Sequence, residues 1–153
     1  MPIIGQSAPN FVTPNQDGVE VKLEDFKGKK VILYFYPRDN TPGCTTEAND
    51  FKANIDAFKA LNTVVLGVSK DSPKSHSNFI CKYDLPFDLL SDKELELIKA
   101  YDVWQLKKNY GKESMGIVRS TFLIDEVGIL QEIWSPVKVK GHVDLVLEKI
   151  KAL

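Results

Sequence analysis

The chain has 153 residues, 43% of them hydrophobic and 27% charged, proportions that suit one water-soluble domain spanning 1–153 around a single core. Twenty basic residues offset 21 acidic ones, a net charge of −1 with no basic run, which argues against a nucleic-acid or anionic-membrane partner. The opening MPIIGQSAPNF has neither the positive start nor the apolar stretch of a secretory signal, and no apolar run is long enough to span a bilayer, so a cytoplasmic location is expected.

In chain order, Gly18 to Leu23 alternates polar and apolar residues after turn residues at Asn15–Gly18, which predicts an N-terminal hairpin with an edge strand. Val31 to Tyr36 is continuously apolar, as in a strand buried on both faces. Between Thr45 and Leu61, residues Ala48, Phe51, Ile55 and Phe58 recur at helical spacing and predict one helix. Thr63 to Ser69 reads as a second buried strand. Ser72-Pro73 then supplies an N-cap and a first-turn proline for a helix with His76, Phe79, Ile80 and Tyr83 on its apolar side. Leu89-Leu90 predicts a short strand and Glu94 to Tyr101 a short helix, while QLKKNYGKESMG reads as a solvated loop. Arg119 to Asp125 and Ile129 to Trp134 form a hairpin around Glu126-Val127-Gly128, and Val143, Val146, Leu147 and Ile150 mark a closing amphipathic helix. Trp104 and Trp134 read as packing residues.

This order implies an α/β fold with a mixed central sheet flanked by helices. In such sheets chemistry gathers beyond the carboxyl ends of the parallel strands, where Pro37 to Cys44 and Ser69 to Ser72 fall. Thr41 is a good N-cap and Pro42 fits the first helical position, so Cys44 lies in the first turn, among N–H groups without helical partners. A thiolate useful at neutral pH needs a pKa roughly two units below about 8.5, or roughly 2.7 kcal/mol. A helix terminus supplies about 0.3–1 kcal/mol, and about 2 in favourable sites, so a permanent cation close by is required. The chain has only two arginines, Arg38 in the loop and Arg119 at the start of the apolar strand RSTFLID, where a charge needs a partner or a function.

The segment PRDNTPGCTTE resembles the active site of the peroxiredoxins, whose Pro-x-x-x-Thr/Ser-x-x-Cys signature is met by Pro37, Thr41 and Cys44. The fuller string, with APNF, VILYFYP, LLSD, Asp102-Val103-Trp104 and GIVRSTFLID, is similar to the bacterioferritin-comigratory, or PrxQ, subfamily from about Gly5 to Ile150. The resemblance implies a thioredoxin-like fold and a thiol peroxidase that needs no cofactor or metal. It implies that Cys44 is the peroxidatic nucleophile, that the Thr41 hydroxyl bonds sulfur and peroxide, and that Pro37 shields the sulfur. It further implies that Arg119 holds the thiolate and polarises the O–O bond, with Glu47 orienting it; Glu47 reads equally well as a first-turn acid favoured by the helix dipole. Many members carry a second, resolving cysteine five positions after the first, but here that position is Asn49. Cys81, 37 residues after Cys44 (81 − 44), matches a second subgroup with the resolving cysteine on the next helix. On the helical wheel Cys81 falls with Lys74, Ser77, Asn78 and Asp84, away from the apolar stripe. The expected arrangement puts the two cysteine helices on opposite faces of the sheet, with local unwinding needed before a disulfide that thioredoxin or a similar dithiol protein reduces. Expected partners are a small hydroperoxide and that reductant, with a monomer or weak homodimer as the assembly.

Four other readings stand beside this one. A one-cysteine peroxidase would use an external thiol. A disulfide reductase lacks its Cys-x-x-Cys. A metal module would have to combine Cys44, Cys81, His76 and His142, which repeat no known ligand spacing. A non-enzymatic chaperone or interaction protein would share the fold alone.

Overall fold

The computed structural model describes residues 2–153. The chain runs β1 (Val12–Pro14), β2 (Glu20–Lys22), β3 (Lys30–Phe35), α1 (Pro42–Ala53), α2 (Ile55–Ala60), β4 (Thr63–Ser69), α3 (Pro73–Tyr83), β5 (Leu89–Ser91), α4 (Glu96–Ala100), β6 (Trp104–Asn109), β7 (Lys112–Ile117), β8 (Ser120–Ile124), β9 (Leu130–Trp134) and α5 (His142–Lys151). β1 and β2 form the N-terminal hairpin. Its turn is tied by Asn15, whose side-chain oxygen accepts the N–H groups of Asp17 and Val19 at 2.9 and 3.1 Å, and Gly18 takes a φ of +74° that L side chains avoid.

Five strands make the central sheet in the order β5-β4-β3-β8-β9, parallel across β5, β4 and β3 and antiparallel across β8 and β9. The apolar run of β3 divides by alternation. Ile32, Tyr34 and Tyr36 enter a core with Ala48, Phe51, Phe58, Phe79 and Val146, while Val31, Leu33 and Phe35 enter a second core with Phe11, Val21, Ile98 and Tyr101. Trp104 and Trp134 pack against the edges of these two cores.

Three expectations need correction. First, α1 and α3 lie on the same face of the sheet. Strands β3, β4 and β5 advance in one direction, so two successive right-handed crossovers place both connecting helices on one side. Phe79 of α3 accordingly shares a core with Ala48 and Phe51 of α1, and Lys52 Nζ donates to the Tyr83 carbonyl at 2.8 Å. Second, the single helix expected over 45–61 is two. At Asn54 the backbone leaves helical geometry (φ −111°, ψ 11°), and the side-chain amide donates to the Asp50 carbonyl at 2.9 Å, the local competition that asparagine offers a helix. Third, the stretch read as a solvated loop is the β6–β7 hairpin. Most of its residues on both faces are exposed, so no alternating pattern marked it.

Candidate active site

The register of β3 against β8 pairs Phe35 with Ser120, so the residues that follow β3 and the residue that precedes β8 must share one end of the sheet. The loop 37–41 and Arg119 meet there. Thr41 and Pro42 open α1, and the first helical bond runs from the Thr45 N–H to the Thr41 carbonyl at 2.8 Å. The N–H groups of Gly43 and Cys44 therefore precede the helical ladder and stay available to an anion.

Cys44 is only 2% exposed. Arg119 reaches it with Nη2, which donates to Sγ at 3.3 Å, while Nη1 donates to Glu47 Oε1 at 2.7 Å. A hydrogen bond of this kind strengthens when the acceptor is charged. Gly43 leaves room for the approach, since a Cβ there would lie 3.3 Å from Arg119 Nη2, a tight contact. Burial draws the Arg119 pKa down, but Glu47 and Cys44 outweigh it and hold the guanidinium above its usual value. Glu47 is fully buried, and its Oε2 meets no partner among the described residues. Burial pushes its carboxyl up to about 7, against the pull of Arg119. Glu47 is the sixth residue of α1, beyond the first turn, so the reading of it as a first-turn acid is corrected.

The remaining sequence candidates are placed as follows. Thr41 occupies the N-cap, yet its side chain caps no N–H; the hydroxyl donates to the Arg38 carbonyl at 2.9 Å. Pro37 is half-buried beside it and Arg38 is exposed. Cys81 is exposed on α3, and both cysteines are free. The histidines do not join the cysteines in a metal-holding cluster among the described residues. His142 Nε2 pairs with Thr121 Oγ1 at 2.8 Å, and burial first, then Arg119, lowers its pKa to about 4. His76 meets Asp39 instead.

Sequence reasoning set Lys107 in a solvated loop and preferred that to an anion-binding role. Within the β6–β7 hairpin the Lys107 side chain lies across Gly116, where a Cβ would touch Lys107 Cδ at 3.1 Å. Its pKa is lowered by burial and then by Arg119, with Cys44 opposing, which sets a second cation in the field of the sulfur. The lone signal was the Lys107-Lys108 pair, and sequence spacing does not say that the hairpin brings Lys107 into the field of Arg119. Tyr34 was also missed: its hydroxyl is buried without a partner among the described residues, and burial, then Glu47 and Cys44, raise its pKa.

Comparison with known proteins agrees with this geometry. The model of the AhpC/TSA family matches residues 4–133. Peroxiredoxin Bcp of Bacillus subtilis is 54% identical over 148 residues, covering 97% of this chain and 94% of that one. A cysteine-to-serine mutant of Xylella fastidiosa PrxQ superposes with a TM-score of 0.94 at 40% identity, covering 99% of this chain and 97% of that one. A structure of the Xanthomonas campestris bacterioferritin comigratory protein, concerned with alkyl peroxide reduction, gives 0.89 at 43% identity over 93% of this chain and 90% of that one. With the family model covering most of the chain and these relatives matching nearly all of it, the chain belongs to the AhpC/TSA family, within its Bcp/PrxQ peroxiredoxins.

Proposed function

We propose that this thiol peroxidase reduces hydrogen peroxide and small organic hydroperoxides at Cys44, and that Cys81 resolves the product. The observation that carries the reading is the Arg119 Nη2 to Cys44 Sγ hydrogen bond of 3.3 Å at the first turn of α1. The Cys44 thiolate attacks one peroxide oxygen. The S–O bond forms as the O–O bond breaks, and the departing alkoxide or hydroxide takes from solvent the proton that Cys44 lost on ionising, leaving as alcohol or water. Negative charge moves from sulfur to that oxygen, so fixed donors at Arg119, Gly43 and Cys44 stabilise the transition state without reorganising. To join them, the Thr41 hydroxyl gives up its bond to the Arg38 carbonyl. Pro37 limits water at the sulfur, and Glu47 orients the guanidinium through Oε1.

Cys44 is then a sulfenic acid. The Cys81 thiol attacks it, giving the Cys44–Cys81 disulfide and water. A dithiol protein of the thioredoxin kind reduces that disulfide by exchange at the surface, and the chain works as a monomer or a weak homodimer. No helix among the described residues is long and apolar enough to cross a membrane. The test is peroxide consumption with thioredoxin for wild type, Cys44→Ser and Cys81→Ser, with the mass of the oxidised protein. Loss of turnover in Cys44→Ser and of thioredoxin-dependent turnover in Cys81→Ser is expected. Wild-type turnover in Cys81→Ser would replace this cycle by one using an external thiol.

A further inference from the structure

A buried polar network outside the reacting atoms joins the two cysteine-bearing segments. Asp39 lies five residues before Cys44 (44 − 39) and His76 five before Cys81 (81 − 76). Both are buried, at 7% and 0% exposure. Asp39 Oδ1 accepts from the Tyr36 hydroxyl at 2.5 Å, and Oδ2 accepts from Ser75 Oγ at 2.8 Å and faces His76 Nδ1 at 2.7 Å. His76 Nε2 lies 3.0 Å from the Leu90 carbonyl, so the ring is held from both sides by oxygen acceptors. The Asp39 N–H donates to Asp71 Oδ2 at 2.8 Å, and that oxygen also accepts from Ser69 Oγ at 2.7 Å. A second, exposed tether follows: Asn40 Oδ1 accepts from Lys82 Nζ and the Tyr83 hydroxyl, both at 3.2 Å. Cys81 thus sits on α3 between two anchors to the loop that leads into Cys44.

We infer that Asp39 and His76 are positioning residues that clamp the Cys44 loop to the Cys81 helix, so that release of this pair gates formation of the disulfide. The inference rests on the resolving role proposed for Cys81. Sulfur 44 is buried and sulfur 81 exposed, yet a disulfide needs Cα atoms roughly 4.4–6.8 Å apart with their side chains facing. Turning the two cysteines toward each other moves the loop against the helix, and the polar bonds at Asp39 resist that motion. In the resolving step Cys44–SOH and Cys81–SH give Cys44–S–S–Cys81 and water: the Cys81 sulfur is oxidised, the sulfenic sulfur is reduced, and the thiol proton leaves with the hydroxide. While the clamp holds, a second hydroperoxide competes and converts Cys44–SOH to Cys44–SO₂H, leaving as alcohol or water. The clamp therefore sets the lifetime of the sulfenic acid and its exposure to further oxidation.

The test compares wild type, His76→Leu, His76→Gln and Ser75→Ala, none of which alters a group that touches peroxide. Reduced protein is mixed with one equivalent of hydrogen peroxide, quenched, and weighed for sulfenic acid and disulfide. A peroxide titration under turnover with dithiothreitol then gives the dose that half-converts Cys44 to sulfinic acid. Loss of a charged-group hydrogen bond should accelerate disulfide formation by roughly tenfold in His76→Leu and raise that dose in parallel. Ser75→Ala should act in the same direction by less, and carries the test if His76→Leu does not fold. His76→Gln, which keeps a donor for Asp39, should recover part of the wild-type rate, as a merely space-filling histidine would not require. Unchanged or slower disulfide formation with an unmoved sulfinic dose overturns the clamp. Should wild type form no Cys44–Cys81 disulfide, the resolving role is what fails. Hydrogen exchange across residues 38–46 then decides the clamp alone: faster exchange in Ser75→Ala sustains it, and unchanged exchange removes it.

Discussion

Glu47→Gln separates the carboxylate's charge from its shape. In the folded chain burial lifts the Glu47 carboxyl to about 7 from an ordinary 4.5, although Arg119 favours the ionised form. The fold therefore binds this proton more tightly than the unfolded chain does. Stabilisation from the group is full below pH 4.5 and is lost as pH rises through about 7. The interval of about 2.5 units (7 − 4.5), at about 1.36 kcal/mol per unit, is worth up to about 3 kcal/mol. Glutamine keeps the oxygen that accepts from Arg119 Nη1 and cannot ionise. Urea unfolding of both proteins, reduced, at steps from pH 4 to 8 gives the difference curve, in which the other titrating groups cancel. The variant should gain on wild type by up to about 3 kcal/mol across that range, most of it between pH 4.5 and 7. Parallel curves would refute the reasoning, since they would mean that the pair with Arg119 offsets the burial of the carboxylate in full.

Other substitutions test neighbouring parts. Arg119→Ala should slow the reaction of the reduced protein with hydrogen peroxide by about 10²–10³-fold, the usual cost of removing one fixed donor from a developing oxyanion, read by stopped-flow with a single equivalent. Lys107→Met should lower the same rate a few-fold at low salt, with the difference vanishing at about 1 M salt, where the screening length is about 3 Å. Gly67→Ala should destabilise by about 1–3 kcal/mol in urea, because the new Cβ would sit 2.7 Å from Leu89 Cδ2 and 2.9 Å from Tyr34 Cζ.

The sheet was readable from sequence where residues are buried on a regular period. The continuous apolar runs of β3 and β4 and the Ser72-Pro73 start of α3 signal themselves, and Ser72 Oγ accepts the Ser75 N–H at 3.1 Å as an N-cap should. Cys44 and Arg119 stood out in the sequence as a thiol in a first turn and an arginine entering an apolar strand, and the structure joins them by a hydrogen bond. What failed was information held between elements. Helix faces depend on strand order, which local pattern does not encode, so α3 was expected on the wrong side. The β6–β7 hairpin buries too little to leave a period, and with it went Lys107. The partnership of Asp39 and His76 was hidden because each residue alone reads as an ordinary loop acid and an ordinary core histidine.

The packing that keeps the sulfur dry also bounds how far it can open. Pro42 and Gly43 are exposed, whereas Ala48 and Phe51, one and two turns on, are 1% and 0% exposed in the core. Besides the helix ladder that follows the Thr45 bond to Thr41, the Thr46 hydroxyl ties back to the Pro42 carbonyl at 3.0 Å. Unwinding the first turn therefore costs a few hydrogen bonds and the burial of Cys44 itself. Unwinding the second would expose Ala48 and Phe51, at about 25 cal/mol for each Å² of apolar surface. The opening that frees the sulfur should accordingly stop at Glu47, whose Oε1 stays bonded to Arg119 at 2.7 Å. Amide exchange at Thr45 and Thr46 should then run well ahead of exchange at Ala48 and Phe51 in the reduced protein. Uniform protection along α1 would mean that the helix opens as a unit, and that the Cys44 sulfur is released only by breaking the core.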